Sequence, residues 1–267
     1  MVKKWFSDNK WLLVIILIAS FFRVYRLDYL ELFGDELDAG YQSYSLLSTG
    51  RDYKDHLLPS YAQSFSEWRA PGLMYAMMPF IKVFGLNEWG VRSCPAFLGI
   101  VSLLGFYFLL KEIGVKEKVA RWSIFLLAIS PWHIQYSRAA YELTLMSSLI
   151  LWAVYFLVKS IKNDKNLLVV FSGILFSLAI YTYNTANILV PLLCLASLII
   201  WRAKKEKWFI LIAAGAIFCS PLIYQIFFGH AADRFGTVAI FNNKEIVAEI
   251  DHYRNAGKNT LLSKIFY

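Results

Sequence analysis

Two adjacent carboxylates, Asp35 and Glu36, follow Phe33 and Gly34 and are the first side chains whose types indicate chemistry. An accessible carboxylate is a common general base for activating a hydroxyl nucleophile. Asp35 is equally suited to cap a helix, because an aspartate there accepts hydrogen bonds from first-turn N–H groups, and Asp38 follows three residues on. The local sequence leaves both roles open, and the two roles are compatible.

Two further motifs place charged residues beside apolar sequence. Arg69 stands two residues before a proline, where its forked guanidinium suits either a phosphate ligand or an anchor at the membrane interface. His133, Arg138 and Glu142 follow an apolar run, a position that is costly unless such residues line a wet cavity or pair with each other. Arg138 and Glu142 also have the i,i+4 spacing of an ordinary helical ion pair, so a purely structural role is open.

Two weaker motifs lie later in the chain. Residues 181–187 form a polar, aromatic segment between apolar runs, which either turns the chain or offers hydroxyls and amides to a sugar. His230 and Asp233 follow the last apolar run, where a surface loop is the simplest expectation. Two such residues are too few to define a metal site, and we keep His230 as a candidate ligand.

The composition is typical of a membrane protein. Of 267 residues, 58% are hydrophobic and 17% are charged, whereas soluble domains have about 25% charged residues. The mean hydropathy is +0.49. The net charge of +8 comes from short basic clusters between apolar runs. This is the positive-inside pattern of an inner membrane protein and does not favour nucleic-acid binding. The three cysteines are widely spaced and indicate neither a disulfide framework nor a zinc site.

The sequence predicts an all-α fold, a polytopic transmembrane helical bundle with about 7–8 membrane segments. Several of its apolar runs are shorter than the roughly 20 residues of a straight span. Flanking Trp, Tyr, Lys and Arg residues can extend them to the membrane interface. The eight runs are 11–25, 71–84, 95–110, 119–132, 143–158, 167–183, 188–201 and 208–228.

We expect residues 1–267 to form a single membrane-embedded domain. The first apolar run follows three lysines but lacks a small-residue cleavage site, so it is predicted to be an uncleaved anchor. The predicted parts are the anchor helix 5–26, an outer acidic loop 27–70, a helical bundle 71–228 and an outer loop 229–267. We expect that last loop to continue in a longer native chain.

The basic clusters predict the orientation in the membrane. All four should be cytoplasmic under the positive-inside rule: Lys3/Lys4/Lys10, Lys111/Lys116/Lys118/Arg121, Lys159/Lys162/Lys165 and Arg202/Lys204/Lys205/Lys207. Because each membrane crossing changes the side, the loop 27–70, one crossing after the cytoplasmic N-terminus, is then predicted to lie outside. Residues 71–110 hold two apolar runs but cross the membrane once in this scheme. We therefore expect one of those runs to be a half-span or an interfacial helix.

The outer loop 27–70 differs from the remaining sequence in charge. It contains eight of the nineteen acidic residues and three Lys/Arg residues. Apolar residues recur within it at helical spacing, and a glycine that suits a helix C-terminus follows: Leu37, Tyr41, Tyr44, Leu47 and Gly50. This pattern predicts an amphipathic helix lying on the membrane surface.

Together these motifs resemble a known family. The segments that carry the resemblance, in this order and at this spacing, are 33–36, 69–73, 84–96, 130–131 and 137–138. They resemble the C-type (GT-C) membrane glycosyltransferases of glycosyltransferase family 39, the protein O-mannosyltransferases and lipid A aminoarabinose transferases. The resemblance covers nearly the whole chain, as the N-terminal half of such an enzyme. It implies the GT-C fold, with the acidic motif in the first outer loop.

The resemblance also implies roles for individual residues. Asp35 would be the catalytic base with Glu36 as its neighbour, and Arg69 would lie near the donor phosphate. Arg138 and Glu142 would line the cavity, and His230 and Arg234 would approach from a later outer loop. One departure is clear, because aminoarabinose transferases carry an acidic–basic pair directly before two prolines. Here a single proline follows Ala70.

The implied reaction uses a polyprenyl-phosphate sugar as donor. Its phosphate is already a good leaving group, so cationic side chains or a divalent metal ion must stabilise the departing charge. One carboxylate then activates the acceptor hydroxyl of a protein, lipid or polysaccharide, and attack from the opposite face inverts the anomeric centre. Two other classes stay open. One is a transporter or flippase of lipid-linked substrates, and the other is a non-catalytic, truncated membrane subunit.

Overall fold

The computed structural model describes residues 10–64, 67–200, 205–228 and 252, which form ten helices and one pair of short strands. The elements are α1 (Lys10–Val24), α2 (Gly34–Thr49), β1 (Ala62–Ser64), β2 (Glu67–Arg69), α3 (Gly72–Phe84), α4 (Glu88–Glu112), α5 (Glu117–Ile129), α6 (Pro131–Ser137), α7 (Glu142–Asn163), α8 (Asn166–Ile180), α9 (Ala186–Ile200) and α10 (Lys205–Phe228). The predicted all-α bundle is confirmed.

Three helices are long and apolar enough to cross a membrane: Glu88–Glu112, Glu142–Asn163 and Lys205–Gln225. Three others are apolar but shorter, among them α3 with 13 residues. At 1.5 Å per residue α3 is roughly 20 Å long, against a hydrocarbon core of about 30 Å. Helix α3 is thus shorter than a straight span, whereas α4 next to it has 25 residues, and the half-span within 71–110 stays a prediction.

The helices pack around α4 and α7. Helix α7 lies between α4 and α8, and α8 also packs against α10, while α1 and α5 pack together beside α4. One core cluster joins α7 to α10 around Phe176, and another joins α1, α4 and α5 around Leu103. Large apolar side chains also point outward, such as Leu17 at 69% and Phe209 at 73% exposure. In water such surfaces would be costly, whereas a lipid bilayer solvates them.

Helix α2 is the amphipathic helix predicted in the outer loop. Leu37, Tyr41 and Tyr44 form an outward apolar stripe with exposures of 53%, 54% and 46%. Gly50 ends the helix in the left-handed region at φ 71°, and its N–H donates to the carbonyl of Leu46. The exposed stripe is the face that would meet the membrane interface.

The opposite face of α2 is buried and polar, and it fixes the helix to its neighbours. Gln42 Nε2 donates to the carbonyl of Gln63 at 2.8 Å, and Ser43 Oγ donates to the carbonyl of Met74 at 2.8 Å. A Cβ at Gly40 would lie 2.7 Å from a methyl of Val91, so the glycine permits close contact with α4. The middle of α2 is therefore held in a defined position.

Three features differ from the sequence expectations. The outer loop contains the antiparallel pair β1–β2, with Ala62 opposite Arg69, which no periodicity predicted. Asp35 does not cap α2, since the N-cap is Phe33 without a side-chain cap bond. The i,i+4 helical pair of Arg138 with Glu142 is wrong, because α6 ends at Ser137 and α7 begins at Glu142.

The basic clusters of three helix connections meet at one end of the bundle. Lys111 pairs with Glu117, which joins α4 to α5, and Lys162 Nζ lies 3.3 Å from Glu112 Oε1, which joins α7 to α4. Lys207 Nζ lies 3.1 Å from Asp164 Oδ1 and joins α10 to the connection between α7 and α8. Arg92 lies near the opposite end of α4, about 30 Å away along the helix. Described lysines from three of the four clusters that the sequence assigned to one side thus lie at one end of the bundle.

Candidate active site

Asp35 and Glu36 occupy the first turn of α2 but lie in different surroundings. The side chain of Asp35 is 59% exposed, whereas that of Glu36 is fully buried. Adjacent helix positions are about 100° apart, so one residue faces solvent while the next faces the bundle. Asp35 is therefore the carboxylate of the motif that is accessible from outside the protein.

Arg69, the last residue of β2, is the partner of Asp35. Arg69 Nη2 donates to Asp35 Oδ1 at 3.1 Å, and Arg69 Nη1 lies 3.9 Å from Asp38 Oδ2. Asp38 also accepts a hydrogen bond of 2.6 Å from Ser64 Oγ on β1. The short strand pair thus presents one basic and one hydroxyl side chain to two carboxylates of α2.

The electrostatics of Arg69 reflect this acidic setting. Burial lowers its pKa, but the hydrogen bond and charge of Asp35, with the charges of Glu142 and Asp38, outweigh burial and raise the pKa. Glu142 stands at the start of α7, so its charge reaches Arg69 from a third element. Arg69 is a permanent cation among three carboxylates.

Glu36 forms a buried ion pair with Arg92 of α4. Arg92 Nη2 lies 2.6 Å from Glu36 Oε2, and Arg92 Nε donates to Glu36 Oε1 at 2.9 Å. The backbone N–H of Ala140 also donates to Glu36 Oε1, at 3.1 Å. Such a bidentate pair joins α2, α4 and the α6–α7 connection.

Arg92 has a second set of contacts that fixes the chain ahead of α2. Its guanidinium donates to the carbonyls of Leu27, Leu30 and Glu31. The segment that leads into the Asp35 turn is therefore held by the same arginine. Sequence reasoning missed the role of Arg92. The available signal was a charged residue just inside a long apolar helix, a position that usually has a partner.

Arg138 lies away from the Asp35–Arg69 pair. Its guanidinium donates to the carbonyls of Phe22, Tyr25 and Arg26 at 2.8–3.1 Å, in the last turn of α1 and just after it. It lines a cavity of about 890 Å³ together with the buried Glu36–Arg92 pair and several aromatic side chains. Arg138 thus belongs to a neighbouring cavity.

His133 is part of a buried polar network. Arg23, fully buried, has Nη2 at 2.7 Å from His133 Nδ1, and its Nη1 donates to the carbonyls of Ala19 and Ala128. His133 Nε2 lies 3.1 Å from Ser102 Oγ. Both ring nitrogens are engaged, so His133 fastens α6 to α1 and α4.

The polar segment 181–187 turns the chain between α8 and α9 and also contacts the start of α3. The N–H of Gly72 donates to the carbonyl of Tyr181 at 2.8 Å, and a Cβ at Gly72 would lie 2.6 Å from that oxygen. Tyr181 also donates through its hydroxyl to the carbonyl of Phe218 at 3.0 Å. This close approach gives a structural reason for glycine where the resembling transferases have a second proline.

His230 and Arg234 lie outside the described residues, as does most of the predicted outer loop 229–267. Within the described part of the chain, no three His, Cys, Asp or Glu side chains come together as metal ligands. The divalent ion therefore stays a prediction, and Arg69 is the described cation beside Asp35.

A family model, dolichyl-phosphate-mannose-protein mannosyltransferase, matches residues 68–224, more than half of the chain. The chain belongs to this mannosyltransferase family. The matched region begins just before Arg69 and includes Arg92, Arg138 and Glu142, while Asp35 and Glu36 precede it. Family membership and the apolar spans identify an integral membrane protein.

Solved structures support the same fold for this mannosyltransferase family member. Oligosaccharyltransferase AglB from Archaeoglobus fulgidus, in complex with an inhibitory peptide and a dolichol-phosphate, superposes with a TM-score of 0.63 at 16% identity over 81% of the chain. The apo form from the same organism gives the same values. The GT-C glycosyltransferase fold is thereby shown.

The chain spans less than a third of the length of these relatives. It covers 30% of the AglB chain in the complex and 29% in the apo form. It also covers 27% of an uncharacterized protein of Aquifex aeolicus (strain VF5), with 30% identity over 141 residues. The described residues of this family member therefore correspond to a part of larger proteins.

Proposed function

We propose that the native protein transfers a sugar from a polyprenyl-phosphate donor to an acceptor hydroxyl, with inversion. The observation that carries the proposal is the exposed carboxylate of Asp35, held 3.1 Å from the guanidinium of Arg69 on a fixed helix turn. A base and a phosphate-binding cation side by side are what this transfer needs. The dolichyl-phosphate-mannose of the family description supports a lipid-phosphate donor.

In the proposed reaction, Asp35 accepts the proton of the acceptor hydroxyl as its oxygen attacks the anomeric carbon. The bond between that carbon and the phosphate oxygen breaks, and the electron pair leaves with the polyprenyl phosphate. Arg69 stabilises the developing charge, since its fork matches a phosphate as well as a carboxylate. Donor binding would thus draw Arg69 from Asp35 and free the carboxylate for the proton.

We assign Glu36 a positioning role instead of direct chemistry. Its carboxylate is fully buried, and its oxygens already accept hydrogen bonds from Arg92 and the N–H of Ala140, so it is not free to take a proton from the acceptor. The charges of Glu142 and Asp38 would help to hold Arg69 in place. Arg138 would border the cavity beside the Glu36–Arg92 pair. Arg234 and His230 remain predictions from the family resemblance.

The orientation that we propose places Asp35 at the outer face of a prokaryotic plasma membrane. Lys111, Lys162 and Lys207 lie at the other end of the bundle from Arg92. Clusters of Lys and Arg are retained on the cytoplasmic side of membrane proteins. The donor's phosphate would then meet Arg69 at the outer leaflet, with the prenyl chain in the bilayer.

The direct test is stereochemical. The full-length native protein, reconstituted in vesicles, is given a polyprenyl-phosphate sugar of known anomeric configuration and an acceptor hydroxyl. We expect loss of the donor, release of polyprenyl phosphate and an inverted glycosidic bond, read by NMR of the product. Retention of configuration would contradict direct attack on the donor. Donor that crosses the membrane chemically unchanged would instead favour a flippase.

A further inference from the structure

A groove of about 800 Å³ runs between α1 and α5 at the end of the bundle that carries the basic clusters. Its walls are apolar and include Val14, Ile18, Trp122 and Phe125. Val14 is 54% exposed and Trp122 is 57% exposed, so the groove opens toward the surroundings of the bundle. Its size and lining suit a single acyl chain, independently of the proposed active site.

One end of the groove is basic and aromatic. Arg121 and Lys118 line it there, and the Arg121 guanidinium lies 4.5 Å from the ring centroid of Trp11. Trp11 and Trp122 thus stand at the same level as the cations. Tryptophan with Lys or Arg marks the interface between hydrocarbon and headgroups.

The carboxylate in this cluster is already neutralised. Glu117 accepts from Arg121 Nε at 3.1 Å and pairs with Lys111. Three cations, Lys111, Lys118 and Arg121, stand against this one carboxylate, so the cluster keeps a net charge of +2. Arg121 is held in place through Nε, and within the described residues its two Nη atoms donate no hydrogen bond. The end of the groove therefore offers preoriented donors to an anion.

We propose that this groove binds an anionic phospholipid, with an acyl chain along Val14, Ile18 and Phe125 and the phosphate at Lys118 and Arg121. Basic pockets between membrane helices on the cytoplasmic side recognise such headgroups. A zwitterionic phospholipid fits the apolar walls equally well but gains less from the excess positive charge. The positive charge of the cluster thus favours an anionic headgroup, and the apolar groove binds the acyl chain.

The test is native mass spectrometry of the full-length protein in detergent, titrated with phosphatidylglycerol or phosphatidylcholine of the same acyl chains. We expect phosphatidylglycerol to bind about tenfold more tightly, as each cation near the headgroup contributes a several-fold effect. The double variant Lys118→Gln/Arg121→Gln should lose this preference. The matched variant Lys54→Gln/Lys165→Gln removes two charges away from the groove and should keep it.

A second variant separates the groove from the charges. Ile18→Trp fills the apolar groove and leaves both cations intact. We expect it to weaken phosphatidylglycerol binding about tenfold. Thermal unfolding in detergent checks that each variant is folded. Equal affinity for the two lipids, or an unchanged preference in Lys118→Gln/Arg121→Gln, would overturn the proposal. If Ile18→Trp bound phosphatidylglycerol with the native affinity, the groove would be excluded as the binding site, because surface charge alone would then hold the lipid.

Discussion

Asp35 and Arg69 form an ion pair of 3.1 Å between residues 34 positions apart, which joins the first turn of α2 to strand β2. The neighbouring Glu36 points into the bundle and pairs with Arg92. Two adjacent carboxylates are thus divided between an accessible position and a buried one. The buried pair fixes the turn, and the accessible carboxylate is the one that we propose as the general base.

Arg69 should be sensitive to the shape as well as the charge of its side chain. We expect Arg69→Gln to lower the transfer rate about 10²–10³-fold, the usual effect of removing a donor that stabilises developing negative charge. Arg69→Lys keeps the charge but loses the fork, so its rate should fall between those of Arg69→Gln and the native protein. Initial rates at saturating donor measure this order. Equal rates for the native protein and Arg69→Gln would exclude Arg69 from phosphate stabilisation.

Glu36 and Arg92 should matter for folding stability. Removing one partner of a buried ion pair leaves an uncompensated charge, which lowers the free energy of unfolding by about 3–5 kcal/mol. Glu36→Gln or Arg92→Gln should therefore lower the unfolding temperature in detergent markedly. Asp35→Asn removes a carboxylate that is 59% exposed and should cost about 1 kcal/mol or less. A similar loss of stability in Glu36→Gln and Asp35→Asn would show that the two carboxylates do not differ in burial.

The contact between Gly40 and Val91 should set the packing of α2 against α4. Gly40→Ala places a Cβ 2.7 Å from a Val91 methyl, and overpacking of this kind costs about 1–3 kcal/mol. Val91→Ala in the same chain makes room for that Cβ. We expect a double-mutant cycle of unfolding free energies to show favourable coupling between the two substitutions. Strict additivity would indicate that the helices separate without strain.

The orientation can be tested by cysteine labelling of intact cells. In a chain with the three native cysteines replaced, Asp35→Cys should react with a membrane-impermeant maleimide added outside, because Asp35 is exposed. Glu36→Cys should stay unlabelled, since that position is buried. Lys165→Cys, next to the basic end, should react only after the membrane is permeabilised. Labelling of Lys165→Cys in intact cells would reverse the proposed topology.

Local patterns in the sequence predicted the local structure well. Helix α2 and its end at Gly50 follow from apolar residues at helical spacing and from a glycine that tolerates positive φ. The pair β1–β2 has only three residues in each strand, too few for a period of two to be visible. The break between Arg138 and Glu142 was equally hidden, because polar residues there fit a continuous helix as well as a connection.

The candidate site depended on contacts that no local pattern contains. Asp35 and Arg69 were each selected for their residue type, but their pairing joins residues 34 positions apart. Arg92 was overlooked because its partner Glu36 is 56 residues away, and a lone arginine near a helix end also suits an interfacial anchor. Residue chemistry therefore predicted the candidates, and only the packing of α2 on α4 separated their roles.

The role of Asp35 as general base is tested most directly by comparing two aspartates of loop 27–70 in the full-length protein. Asp35→Asn removes the proposed base, and Asp55→Asn removes an 85%-exposed carboxylate elsewhere in the loop. Release of polyprenyl phosphate in a single turnover, at equal amounts of folded protein, gives the rates. We expect Asp35→Asn to be slower by at least about 100-fold, the contribution of a general base, with Asp55→Asn near the native rate. A native rate for Asp35→Asn would contradict the account.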